Sequence, residues 1–209
     1  MARYTDAVCK LCRREKQKLF LKGAKCFSEK CPVEKRNYPP GQQGQNRRSK
    51  LSEYGIQLRE KQKIRRTYGV LEVQFRNMFE HAQKQKGVTG DNLVKLLERR
   101  FDNVLYRLGL AASRKQARQL ILHKHFLVND KPVNIPSYEL EVGDVVRVRE
   151  KSRKLDAIHE SLKRIRDTSV PAWLSLDKAQ LTGTILNAPE RADINLNANE
   201  QLVVELYSK

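Results

Sequence analysis

The residues best suited to chemistry are four cysteines, Cys9, Cys12, Cys26 and Cys31, the only ones in the chain. Their spacing is C-x2-C, a loop of thirteen residues, then C-x4-C. Two short Cys pairs, each carried by a tight turn, suit a tetrahedral site of four thiolates. With all four positions taken by sulfur, such a site is closed and structural. Zinc is the cofactor this donor set suits best, and an iron–sulfur cluster is the alternative. Lys10, Arg13, Arg14, Lys25 and Lys30 surround the cysteines and would offset the negative charge of a four-thiolate zinc site. So short a segment has little core of its own, so a bound metal would supply most of its folding energy. Four reduced structural thiols are the plain alternative. A redox pair fits worse, because no βαβ pattern surrounds the Cys-x-x-Cys.

The second chemical signal is charge. The 209 residues carry a formal net charge of +18, with 39% hydrophobic and 32% charged residues. Residues 1–50 hold 14 basic against 4 acidic side chains and residues 51–100 hold 11 against 6, so the first hundred carry +15. That density is self-repelling unless something neutralises it, which points to a polyanion. Around the knuckle the candidate contacts are Arg3, Arg13, Arg14 and Arg36. Residues 37–50, Asn-Tyr-Pro-Pro-Gly-Gln-Gln-Gly-Gln-Asn-Arg-Arg-Ser-Lys, form a basic arm ending in Arg47, Arg48 and Lys50. Pro39 and Pro40 favour extended backbone, Gly41 and Gly44 favour turns, and few apolar residues are available to fold it. The arm is expected to gain its order against a partner.

Several elements must hold these charges in place. Residues 52–86 read as helical with a break at Gly69, and Leu58, Ile64, Tyr68, Phe75, Phe79 and Ala82 supply an apolar side. Arg59, Lys63 and Arg66 share the other face, widened by Arg65, as a phosphate-binding surface. Residues 91–108 read as one further helix. Ser113 with Gln116 gives a capping box for the next, whose Ala117, Leu120 and Ile121 face inward. Arg114, Lys115 and Arg118 then form an exposed basic triad in its first turns. Cations there oppose the helix dipole, which makes most sense if an anion binds. Short β segments follow at 126–129, 138–142 and 145–149. Residues 155–165 read as a helix, 171–177 as an ordered surface segment with Trp173 in the core, and 200–207 as a closing strand.

Catalysis has no visible address. No nucleotide-binding glycine loop and no H-E-x-x-H occurs, and His81, His123, His125 and His159 lack catalytic partners in the sequence. His123 and His125 flank a helix-to-strand turn beside the basic triad, where His123 is a candidate RNA contact. No stretch approaches the roughly 18 consecutive apolar residues of a membrane span. The start has no apolar core of a signal peptide, so secretion is not expected.

Residues 113–133, Ser-Arg-Lys-Gln-Ala-Arg-Gln-Leu-Ile-Leu-His-Lys-His-Phe-Leu-Val-Asn-Asp-Lys-Pro-Val, with Pro136-Ser-Tyr138, resemble the RNA-binding motif named after the fourth small-subunit ribosomal protein. That motif also occurs in pseudouridine synthases, some aminoacyl-tRNA synthetases and heat-shock proteins. The four-cysteine start, Tyr38-Pro-Pro-Gly-Gln, Leu58-Arg-Glu-Lys-Gln-Lys and Asn199-Glu-Gln-Leu-Val extend the resemblance from end to end to the bacterial family of that ribosomal protein. The resemblance implies a non-enzymatic, cytoplasmic constituent of the small ribosomal subunit. Its expected roles are primary binding of small-subunit ribosomal RNA, nucleation of subunit assembly, and a contribution to accuracy where the messenger RNA enters. Expected partners are that RNA, the fifth small-subunit ribosomal protein and messenger RNA, with no membrane and no homo-oligomer.

The implied fold is α+β and predominantly helical, with a four-cysteine knuckle and basic arm at 1–45. A helical RNA-binding domain at 46–90 is joined by the C-terminal segment 196–209. Between them, 91–195 forms an inserted domain with the helix–helix–strand module at about 99–161 and a small antiparallel sheet. Three residues depart from the family pattern. Gln43 stands where His is usual, Lys124 where Gly is common between the two His, and Asn129-Asp130 where Asn-Gly is frequent. A left-handed backbone at Lys124 would cost on the order of 1 kcal/mol.

Overall fold

The computed structural model describes residues 3–46, 50–164 and 170–208. The fold is α+β and predominantly helical, as the sequence leads one to expect. The chain divides into two compact units, residues 1–94 with 196–209 and residues 95–195.

The first unit begins with a cysteine-bearing segment. Helix α1 (Cys9–Glu15) ends where Lys16 takes a left-handed conformation. A 3-10 turn (Gly23–Cys26) and the one-turn helix α2 (Pro32–Lys35) follow, and Cys12, Leu19, Cys31 and Val33 form a small separate core. Helix α3 (Glu53–Tyr68) is capped by Ser52, whose hydroxyl accepts from the Gly55 N–H at 3.2 Å. It stops at Gly69, where φ of 68° closes the helix without a Cβ penalty. Helix α4 (Glu72–Lys84) buries Phe75, Phe79 and Ala82 at helical spacing. The break at Gly69 is therefore where the sequence places it.

Residues 200–207 are not a strand. They form helix α9 (Glu200–Tyr207), packed against α3. The side chain of Asn199 accepts from Gln201 N–H at 3.0 Å and starts it. Val203 is fully buried, and Tyr207 one turn on stacks on Phe79 with ring centroids 4.6 Å apart. That i, i+4 pairing is a helical period, which the Val-Val pair disguises as a β signal.

Residues 91–108, which run from the first unit into the second, are two helices rather than one. Helix α5 (Thr89–Glu98) runs from the first unit's end, and α6 (Phe101–Arg107) follows it. Between them Arg100 is extended and forms an isolated antiparallel bridge with Glu139. The N–H groups of Phe101 and Leu140 donate to the carbonyls of Tyr138 (2.8 Å) and Arg99 (3.0 Å), so residues 138–142 pair with the helix break and form no strand of their own. Helix α7 (Arg114–Leu122) starts at Ser113, whose hydroxyl accepts from Gln116 N–H at 3.3 Å. Gln116 returns its side-chain oxygen to the Ala112 N–H, at 2.8 Å, one residue before the expected box partner.

The sheet has the order β2-β1-β3-β5-β4 and every pairing is antiparallel. Its strands are β1 (Phe126–Val128), β2 (Lys131–Pro132), β3 (Val145–Val148), β4 (Leu174–Asp177) and β5 (Thr182–Ile185). The β4–β5 hairpin replaces the surface segment expected at 171–177, and Trp173 is buried at its start. Gly183 lies against the core: a Cβ there would meet Leu108 Cδ2 at 2.9 Å and Cδ1 closer still. Helix α8 (Asp156–Lys163) completes the unit, with Ile158 in a core shared by Phe101, Leu105, Ile121, Phe126 and Val148. No helix among the described residues is long and apolar enough to cross a membrane.

Candidate nucleic-acid interface

The basic arm is tied to the protein by one guanidinium. Arg13 Nε donates to the carbonyls of Tyr38 (2.9 Å) and Arg36 (3.2 Å), and the group stacks over the Tyr38 ring at 4.8 Å. Gly44 N–H donates to the Gly41 carbonyl at 3.1 Å and Asn46 N–H to that of Gln43 at 3.2 Å, the turns that the glycines favour. Arg13 is committed to this clamp, whereas Arg3, Arg14, Arg36 and Lys50 are exposed. Arg47 and Arg48 lie outside the described residues.

On α3, Arg59, Lys63, Arg65 and Arg66 are all half-buried; Arg59, Lys63 and Arg66 share one side, while Arg65 lies about 120° round the helix from Arg59, 3.5 Å from Glu72. Lys63 pairs with Glu60, and Arg65 Nη2 donates to Gln62 Oε1 at 2.7 Å. Arg59 and Arg66 meet at Glu15, whose side chain is 0% exposed. Burial depresses the Arg66 pKa, with Glu15 opposing that effect and Arg59 and Arg65 adding to it. The cationic face is real, and it is laced with acids the sequence spacing does not reveal.

The expected basic triad on α7 separates into different environments. Arg114 is half-buried, donates from Nε to Asn103 Oδ1 at 2.8 Å and stacks 4.5 Å over the Tyr106 ring. Lys115 is half-buried beside it. Arg118 is only 5% exposed, with Nη1 3.9 Å from the buried Asp102 carboxylate, so it is not an exposed phosphate contact. Arg118 falls one turn after Arg114 but faces α6, which carries Asp102.

The turn after α7 holds His123, Lys124 and His125. His123 is exposed with its ring 5.9 Å from that of His125, and His125 Nδ1 lies 2.9 Å from the Ser152 hydroxyl. Lys124 has φ of 60°, and Asn129 and Asp130 have 47° and 65°, so two of the three departures from the family pattern fall on left-handed positions. Arg149, exposed, donates its N–H to the His125 carbonyl at 2.9 Å. Lys124 and Arg149 thus extend this basic edge, a role the sequence reading assigns to neither. The signal was present: Arg147 and Arg149 alternate with buried Val146 and Val148 along β3.

The four cysteines line one small cavity together with Lys18, Lys22 and Lys25. Cys12, Cys26 and Cys31 are buried and Cys9 is half-buried. The Lys22 N–H donates to Cys26 Sγ at 3.3 Å, a bond that favours a thiolate. Burial, followed in smaller part by the other three cysteines, pushes the Cys12 thiol up to about 11. The donor set is chemically suited to a metal. Even so, among the described residues no group of three or more His, Cys, Asp or Glu is arranged to hold one, so the expected tetrahedral centre is not displayed.

Comparison with known proteins bears on all of these elements. Residues 3–98 match the family described as "Ribosomal protein S4/S9 N-terminal domain", and residues 99–146 match the S4 domain. The second match takes in α6, α7, β1, β2 and the first two residues of β3. The "Small ribosomal subunit protein uS4" of Syntrophobacter fumaroxidans is 59% identical over all 209 residues, covering the whole of both chains. Proteins of the same name from Geotalea daltonii and Geobacter sulfurreducens are each 57% identical over the same full length. The chain belongs to the uS4 family of small ribosomal subunit proteins.

Proposed function

We propose that this chain is a structural constituent of the small ribosomal subunit, not an enzyme, and that it binds small-subunit ribosomal RNA through its basic first unit and the α7 edge. The observation that carries this is full-length identity of 59% to a protein named for that subunit, together with an S4 domain over the module bearing Arg114 and His123. Diffuse basic faces on several elements suit the phosphates of a folded RNA better than one base-reading helix would. On this reading it binds early, helps nucleate assembly, and supports accuracy beside the fifth small-subunit ribosomal protein where the messenger RNA enters. The test is competition at a stated salt between protein-free small-subunit ribosomal RNA and duplex DNA. Ribosomal RNA should win, with affinity falling about 10³–10⁵-fold between ~50 and ~200 mM salt if six to ten phosphates are neutralised. A shallow salt dependence, or preference for DNA, overturns the reading.

Cys9, Cys12, Cys26 and Cys31 are the proposed ligands of a structural metal, zinc before an iron–sulfur cluster. Support comes from the four sulfurs sharing one cavity and from the N–H donated to Cys26. The metal would supply folding energy to residues 1–45 and no chemistry. Metal analysis of protein purified without chelator should give about one zinc per chain. Neither zinc nor iron would remove the claim.

A further inference from the structure

Glu15 ends α1, the helix that begins at Cys9, and its side chain is fully removed from solvent. Its Oε1 accepts from Arg59 Nη1 at 3.1 Å and also from Arg66 Nη1. Its Oε2 is buried with no hydrogen-bond partner in the protein, and so is Arg66 Nε. A carboxylate placed there for stability alone is poorly explained, because a half-satisfied buried ionic network is worse than apolar packing. The arrangement does something else. Arg59 and Arg66 lie two helical turns apart, about 10.5 Å along α3, and like charge drives their heads apart. One shared oxygen brings both guanidiniums to a point while neutralising only one of the two charges. Both arginines stay part-exposed, at 22% and 17% of their side chains.

We infer that Glu15 is a positioning residue for RNA binding, holding Arg59 and Arg66 as one paired cationic site for a phosphate of the ribosomal RNA. The inference rests on the RNA-binding reading of the α3 face. Glu15 touches no RNA on this account; it acts through the two arginines. The cysteine-bearing segment then reaches the RNA at one remove, since α1 begins at Cys9, carries Cys12 at its middle and ends at Glu15.

The sign of one substitution separates positioning from simple charge. Glu15→Gln removes a negative charge beside a polyanion site, so Coulomb attraction alone predicts tighter binding. Positioning predicts weaker binding, by about three- to thirty-fold, well within the range of coupling for one contacting network. Affinity for protein-free small-subunit ribosomal RNA is measured on the full chain, at a temperature where circular dichroism shows each variant folded. The expected result is weaker binding by Glu15→Gln, and no further effect of that change in an Arg59→Gln/Arg66→Gln background. That triple variant has no buried charge left to pair, so it keeps the test open if the single variant unfolds. Unchanged or tighter binding by Glu15→Gln, or an equal loss in the background without the arginines, overturns the inference. If Arg59→Gln/Arg66→Gln itself binds RNA as tightly as the parent protein, the reading of the α3 face fails instead.

Discussion

Arg118 Nη1 stands 3.9 Å from Asp102 Oδ2, the same oxygen that accepts from Arg100 Nη2 at 2.7 Å. All three side chains are buried, so the first turns of α7 and the N-terminal turn of α6 are held by a charged pair and a third charge beside it. Arg114, one turn away, donates from Nε to a neutral amide oxygen, Asn103 Oδ1, and stacks over the Tyr106 ring. The two arginines have different work despite their matched spacing.

Replacing each with Gln should separate those roles. Arg118→Gln should cost about 1–3 kcal/mol, the range for removing a charged partner from a buried group, and leave the RNA salt slope of the folded protein unchanged. Arg114→Gln should cost about 1 kcal/mol for its hydrogen bond and lower the salt slope by about one. Thermal unfolding and RNA titration on both proteins check this. A reversed pattern would make Arg118 the RNA contact.

Gly183 gives a sharper stability test. A Cβ at this position of β5 collides with both methyl groups of Leu108, which is fully buried, so Gly183→Ala overpacks the core. The expected loss is about 1–3 kcal/mol. Leu108→Ala makes room, so the double variant should be more stable than the two separate losses predict. Denaturant midpoints of the three variants measure the coupling; strict additivity would mean the collision is relieved elsewhere.

The sign of a pH effect follows from His125. Burial, then the charges of His123 and Arg149, lower its pKa in the folded state from the ordinary 6.5. The unfolded chain therefore takes the proton first as pH falls. The stability contribution of neutral His125 is fully present above 6.5 and is lost progressively below it, until the folded pKa is passed. His125→Gln should flatten the dependence of the urea midpoint on pH below that value. An equally steep dependence in the variant would assign the effect to other groups.

Local signals in this chain were legible and distant partners were not. Ser113, Ala117 and Ile121 fix α7 from sequence because a cap and a 3.6-residue stripe are local. The same applies to Gly69 ending α3. Arg118 was misjudged because Asp102, its partner, lies on the preceding helix. Glu15 was not singled out because Arg59 and Arg66 lie 44 and 51 residues away. The β4–β5 hairpin escaped notice because β5 reads Thr-Gly-Thr-Ile, and a central Gly weakens any strand signal. Its glycine is there for Leu108, again a distant residue.

Lys124 brings backbone strain and charge to one position. Its φ of 60° is a conformation in which an L side chain crowds the following carbonyl, and its side chain is exposed on the edge shared with His123 and Arg149. Glycine there would relieve about 1 kcal/mol of strain, less the extra freedom glycine gains in the unfolded chain. Lys124→Gly should therefore be neutral to slightly stabilising, within about 1 kcal/mol. If this turn meets RNA, the same change should weaken binding across all salt concentrations and reduce the salt slope by about one. Lys124→Asn, which tolerates the left-handed region but has no charge, should reproduce the binding loss. Lys124→Arg keeps the charge and the strain and should bind as the parent does. Normal binding by both uncharged variants would show that Lys124 faces solvent rather than RNA, leaving Arg114 to carry the contact of this unit.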